Sequence, residues 1–305
     1  MRIWCAFPDR IRKITAEDNA LLTPVLLENR FGDQAAVGWP AYLRLAFTRR
    51  DLRTDLKFRH QGPLRIQKAL YPQGPQCCHA VVVHPPGGIA GGDSLTLDIS
   101  VQPLAEAVVT TPSATKWYGA FKGGVASQVV DIDLQGRLEW LPAETIVFDG
   151  AQVASSIHIN ASKQATMVGW DLLVFGRHGS GERFCTGQFD QRVCISLDGT
   201  EIWTDRLRLA GNDDLFDSPI GMAGHHALST FWAIAPEAEL FTDELVAGIR
   251  QAVPDMVFTR LHPRLLVGRA LGAPIGLDRT LKKARAWIRQ HAWLSEASDL
   301  RLWAT

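Results

Sequence analysis

No run of about 18 uncharged apolar residues occurs in this chain, so no membrane-spanning helix is expected. The N-terminus carries Arg2, Asp9, Arg10, Arg12 and Lys13 and has no apolar core of a secretory leader, so a cytoplasmic location is the expectation. There is no excess of either charge: 32 basic and 32 acidic residues cancel, which argues against a nucleic-acid partner. Cysteine is scarce and badly spaced for cross-linking. Cys5, Cys77, Cys78, Cys185 and Cys194 are odd in number and include no C-x-x-C, so neither a disulfide framework nor a zinc knuckle is indicated. The nucleophile elbow G-x-S-x-G and the zinc motif H-E-x-x-H are also missing. What remains is a 305-residue chain, 46% hydrophobic, with enough apolar mass for a sizeable packed core.

The most distinctive stretch runs from His84 to Asp93, HPPGGIAGGD. Two prolines fix φ and remove donors. Gly87, Gly88, Gly91 and Gly92 can take positive φ or let another chain approach closely. Ahead of it, Ala80–Val83 is a short apolar run typical of a strand buried on both faces. After it, Leu95–Val101 alternates strictly, as a half-buried strand does. The loop is therefore read as a rigid crossing between two strands. It is not a phosphate cradle, because no Lys follows the glycines and the next element is a strand rather than a helix.

Alternation recurs along the chain. Leu43, Leu45 and Phe47 begin it, and strands at 55–59 and 64–68 flank a turn at Gln61-Gly62-Pro63. Further strands follow at 107–111, 130–134, 138–141, 145–148, 157–159 and 167–175. Val193–Leu197 and Ile202–Leu209 form a hairpin across Asp198-Gly199. Strands at such short intervals predict stacked or layered sheets. The last third changes period. Thr242 can cap a helix with Leu245, Ile249 and Val253 on one face, stopped by Pro254. A second helix is expected from Asp278, with Leu281, Ala284, Ile288 and His291 on one stripe. Lys282, Lys283, Arg285 and Arg289 make a basic face, read as solvated, with a partner surface as the sharper alternative. Residues 1–38 show no periodicity and are read as an extension of a single β-rich domain spanning 39–305.

Few residues announce chemistry. Cys77, Cys78, His79 and His84 make either a soft metal patch or a set of buried, inert groups, and strand alternation limits any shared ion to every second member. His225-His226 reads as a surface pair. Asp171 and Asp205 lie in strands rich in large apolar side chains, so each must be paired, hydrogen-bonded or bound to a cation. A structural ion pair with arginine and a functional role both satisfy that requirement. An enzyme or small-ligand module using the glycine loop and nearby carboxylates is the competing class.

Taken in order, the segments GPLRIQKALYP (62–72), HPPGGIAGGD (84–93), TTPSATKWY (110–118), LEWLPAETIVFDGA (138–151), GWDLLVFGR (169–177), SGERF (180–184), DRLRL (205–209) and RLWAT (301–305) resemble the UreD family, also called UreH, of urease accessory proteins. The chain departs from the family at Trp117-Tyr118-Gly119, usually Phe-Tyr-Arg, at Ala143, usually Gln, and in the extra thiol Cys77. The resemblance implies a mainly β fold, a β-helix-like stack of strands in layered sheets with about two helices near the C-terminus. It also implies a non-enzymatic role in metallocentre assembly, linking urease apoprotein to UreF and, through UreF, to the GTPase UreG. No tightly bound cofactor follows from it, only nickel in transit. Asp171 and Asp205, at positions where the family favours an acid, become candidates for a nickel path, with Thr115 a third member. His84, Gly87, Gly88, Gly91, Gly92 and Asp93 form the family loop, with a structural or partner role.

Overall fold

The computed structural model describes residues 38–120, 123–236, 240–293, 295 and 300. The expected extension therefore lies, but for Gly38, outside the described residues. The elements are β1 (Pro40–Arg50), β2 (Arg53–Gln61), β3 (Arg65–Leu70), β4 (Cys77–Val83), β5 (Ser94–Val101), β6 (Glu106–Thr110), β7 (Thr115–Trp117), β8 (Ala126–Leu134), β9 (Arg137–Leu141) and β10 (Thr145–Val147). They continue with β11 (Gln152–Ala161), β12 (Thr166–Phe175), β13 (Gln188–Leu197), β14 (Thr200–Ala210), β15 (Ala227–Ile234), α1 (Asp243–Ala252), β16 (Val257–His262), β17 (Leu265–Leu271) and α2 (Pro274–His291).

Two sheets result. The first has seven strands in the order β14-β13-β11-β8-β5-β1-β2. The second has ten, β16-β17-β15-β12-β9-β6-β4-β3, with β10 and β7 joined at β12. From β4 to β13 the chain coils: β4 passes to β5 in the other sheet, returns as β6, crosses to β8, returns as β9, crosses to β11, returns as β12 and crosses to β13. Each full coil adds one parallel strand to each sheet, so β5, β8, β11 and β13 are parallel neighbours, as are β4, β6, β9 and β12. The expected β-helix-like stack is the architecture observed.

The alternation in sequence is what drives this. Leu95, Leu97, Ile99 and Val101 of β5 face the second sheet, as do Val130, Ile132 and Leu134 of β8 and Val193, Ile195 and Leu197 of β13, all buried in one core between the sheets. Each such side chain contributes about 1.5–3 kcal/mol relative to exposure. A second core lies between the outer face of the second sheet and the helices, with Val168, Phe231, Phe258, Leu281 and Ile288.

The two ends of the coil differ. At one end the connections are tight: Gln135-Gly136 joins β8 to β9 of the other sheet, and Asp198-Gly199 closes the β13–β14 hairpin within the first sheet. At the other, long segments cross: 84–93, 111–125, 142–151, 176–187 and 211–226. Loop geometry of functional kind concentrates at this second end.

The helices follow the sequence in part. Thr242 caps α1, its Oγ1 accepting from Leu245 N at 3.2 Å, and the helix stops before Pro254. The second helix begins a turn earlier than expected, with Pro274 in its first turn; Pro lacks the N–H that has no partner there anyway. Asp278 instead pairs with Lys282 one turn on, at 2.7 Å. The basic face is also split: Arg285 and Arg289 are buried, both held by Glu139 of β9. They lie one turn apart beside Leu281 and Ile288, on the packed flank of α2. Strands β15, β16 and β17, in the stretch read as helical in character, are additions to the sequence reading.

Candidate functional site

The glycine loop is built as a strap. Ile89 is buried and bridges to Trp117 of β7, with Ile89 N donating to Lys116 O (2.7 Å) and Tyr118 N to Ile89 O (2.8 Å). The Asp93 carboxylate accepts from Ala90 N (2.9 Å) and Trp39 N (2.8 Å), which fastens the strap to the start of β1. Positive φ falls on Gly87 and Gly92, while Gly88 is required for another reason: a Cβ there would stand 2.3 Å from the Tyr118 ring. Tyr118 packs edge-on against Phe148, and the Arg177 guanidinium lies 4.5 Å over the Phe148 ring.

Under the strap lies a cavity of about 330 Å³, walled by His84, Pro85, Gly87, Gly88, Thr111, Ser113, Thr115 and Lys116 among others. Burial holds the His84 imidazole below its ordinary pKa, opposed in part by Asp93. A second cavity of about 50 Å³ adjoins it deeper between the sheets, and Leu64, Val82, Thr111, Thr115 and Gln128 wall both. That volume holds a few waters, each needing about 10–15 Å³ on this measure.

The inner cavity is lined by a polar seam in an otherwise apolar interlayer. On the seven-stranded sheet, Gln128, Ser155 and Gln191 are register neighbours on β8, β11 and β13, forming a row at the strand spacing. On the ten-stranded sheet, Thr115 neighbours Thr145 across β7 and β10. Asp171 of β12 neighbours Thr230 of β15, which neighbours Arg269 of β17. Asp171 closes the seam. It is 8% exposed, and its Oδ2 accepts from Gln191 Nε2 at 3.1 Å across the gap between sheets. Desolvation pushes its carboxyl up to about 7; the Gln191 hydrogen bond opposes the rise and the charge of Asp205 adds to it.

The structure therefore brings Asp171 and Thr115 together on one cavity and places Asp205 beside it. Asp205 of β14 is opposite Val193, on the same inner face, and forms an ion pair with Arg269 of the other sheet. It does not line either cavity. Cys77 and His79 face the helices, while Cys78 faces the inter-sheet core, the split that strand alternation requires. His226 packs tilted against His178, ring centroids 4.6 Å apart. Among the described residues no group of three or more His, Cys, Asp or Glu is arranged to hold a metal ion, and no helix is long and apolar enough to cross a membrane.

Sequence reasoning missed Gln128, Ser155, Gln191, Thr230 and Arg269. A signal for three of them exists. Gln128, Ser155 and Gln191 each stand two residues before the alternating apolar set of their own strand, so the polar break falls at the same offset in three coils.

The fold and site define the class: a mainly β, coiled two-sheet protein with adjoining cavities beneath a glycine strap and a polar seam between its sheets. The comparisons supply the family. The family model described as UreD urease accessory protein matches residues 40–304, and the chain belongs to that family. It is similar to the urease accessory protein UreD of Ralstonia nicotianae, 39% identical over 287 residues, covering 89% of this chain and 96% of that one. It is likewise similar to the UreD of Pseudomonas aeruginosa, 41% identical over 280 residues (88% of this chain, 95% of that one), and of Nitrosococcus oceani, 42% identical over 218 residues (70% and 72%). Its function is accordingly in urease maturation.

Proposed function

We propose that this chain is the scaffold that links urease apoprotein to UreF and, through UreF, to the GTPase UreG, in the cytoplasm, and that nickel bound for the urease active site passes through its interior. In this reading the protein is a carrier surface and conduit rather than an enzyme, and nickel is cargo rather than a resident cofactor.

The observation that carries the reading is the pair of adjoining cavities running from the glycine strap to Asp171. A hydrated divalent ion needs oxygen donors that hold it loosely, since transfer requires release as well as capture. Thr115, Thr145, Ser155 and the amides of Gln128 and Gln191 are neutral oxygen donors of that kind, and Asp171 is the one carboxylate on the seam among the described residues. A carboxyl poised near neutrality exchanges a proton for a cation, so loading and release both stay within reach. Asp205 adds its field from beside the seam while Arg269 keeps it from holding the ion itself. Nickel(II) accepts such ligands together with water.

The test is genetic and analytical. A strain lacking this chain should assemble urease of normal size but low nickel content; full activity without added nickel or bicarbonate would sink the reading. A chain carrying Asp171→Asn should still co-purify with urease apoprotein and UreF while the urease it matures holds less nickel. Unchanged nickel content in that urease would remove Asp171 from the path.

A further inference from the structure

We infer that the loop between β14 and β15, residues 211–226, is a docking element whose apolar tip enters a socket rimmed by basic residues on the urease apoprotein. The inference rests on the scaffold reading above and adds to it the place of contact.

The loop is long, yet it is not loose. Phe216 and Met222 are buried in the inter-sheet core and anchor it from within. The Asp213 carboxylate caps Leu215 N at 2.9 Å, and backbone bonds from Met222 N to Leu215 O (2.7 Å) and Gly224 N to Phe216 O (2.7 Å) close it on itself. Ala223 sits at φ +50°, a left-handed conformation that costs energy in a residue with a side chain and persists only where the surroundings hold it. A fold that spends strain on a surface loop is fixing the shape of its tip.

That tip is apolar. Ile220 is 94% exposed, and Leu215 and Pro219 beside it are exposed as well. A branched aliphatic residue held out on a rigid loop loses little further freedom on binding, which favours its use as an anchor. Asp214 and Asp217, also exposed, flank the tip. An acid-flanked aliphatic tip complements an apolar hole with lysines or arginines around it. The loop stands at the same end of the coil as the glycine strap, so a partner seated on it also faces the cavity entrance. Under the scaffold reading the body seated at this end is urease apoprotein; the relatives are named urease accessory proteins. The tip alone is smaller than a stable interface, so it is one anchor within a larger footprint.

Biolayer interferometry with the full chain and immobilised urease apoprotein tests this. Ile220→Ser should weaken binding at least tenfold with an unchanged melting temperature, and Ile220→Leu should restore it. Val257→Ser, on another exposed aliphatic residue, in β16, should change nothing. Asp214→Lys with Asp217→Lys should slow association and flatten its salt dependence. Wild-type affinity in Ile220→Ser overturns the inference while leaving the scaffold reading intact. Retained urease binding with lost UreF binding assigns the tip to another partner and overturns it as well. Should the wild-type chain not bind urease apoprotein at all, the scaffold reading fails first, and this inference with it.

Discussion

The charge of Asp205 bears on Asp171, yet among the described residues only Asp205 has an arginine. Arg269 takes the Asp205 carboxylate, and Asp171 is held by the amide of Gln191. The two acids of neighbouring inner surfaces thus divide: one is a closed ion pair between sheets, the other a carboxyl whose protonation is open near neutral pH.

Stability should record that division. The folded Asp171 carboxyl sits at about 7, above its ordinary 3.8, so its contribution is fully present below 3.8 and is lost as pH rises through about 7. Asp171→Asn cannot ionise. Its melting temperature relative to wild type should therefore climb between pH 4 and pH 7 and level off above. A constant difference across that window would show that Asp171 does not titrate there.

Removing the outer charge should act on the inner one. Asp205→Asn withdraws a neighbouring negative charge that raises the Asp171 pKa, so the window above should move to lower pH. The loss of the Arg269 pair itself should cost little, about 1 kcal/mol or less, because both partners are partly solvated. Carbon-detected NMR of the Asp171 carboxyl in the two proteins checks the shift directly.

Gly88→Val should destabilise the chain by about 1–3 kcal/mol, through the Tyr118 ring rather than through φ. The double variant with Tyr118→Ala should recover part of that loss, which denaturant unfolding can measure. A valine at position 88 with wild-type stability would show that the ring moves aside freely.

Glu139 is 1% exposed and holds both Arg285 and Arg289. Glu139→Gln removes the buried carboxylate that both guanidinium groups share and should cost about 3–5 kcal/mol. Replacing all three by apolar residues of similar volume should recover most of it, since a buried ion cluster is dear to break and cheap to exchange whole. Thermal melts of the single and triple variants decide the matter.

The same face of the second sheet predicts an acid limit. Burial holds His79 down to about 4, and its Nε2 has no hydrogen-bond partner among the described residues. The neutral ring contributes stability that is present above pH 6.5 and is lost as pH falls through about 4. His79→Gln should flatten the melting temperature in that range.

Strands such as β1, β5 and β8 were legible because one face of each is buried, and burial on one face writes itself as alternation. β4 and β12, covered on both faces, showed instead as apolar runs between turn signals. The three-residue β7 was too short to read, and β15 and β17 were not read: Phe231, Trp232, Ala233 and Ile234 are all buried and show no period. The start of α2 was set by Pro274, a first-turn residue that the acidic signal at Asp278 obscured. Asp171 and Thr115 could be singled out, but not their partners. Gln191 and Arg269 reach the seam from strands distant in sequence, and which polar side chains meet across two sheets is decided by register, which no single strand contains.

Coiling has a consequence for size. Every turn of the chain lengthens both sheets by one strand, about 4.8 Å, without altering the gap between them. The enclosed space therefore grows in whole steps along one axis while its bore stays set by side-chain volume. A relative with one coil more or fewer would have an inter-sheet space of different length but the same gauge, and the two ends of its sheets would shift by that fixed increment.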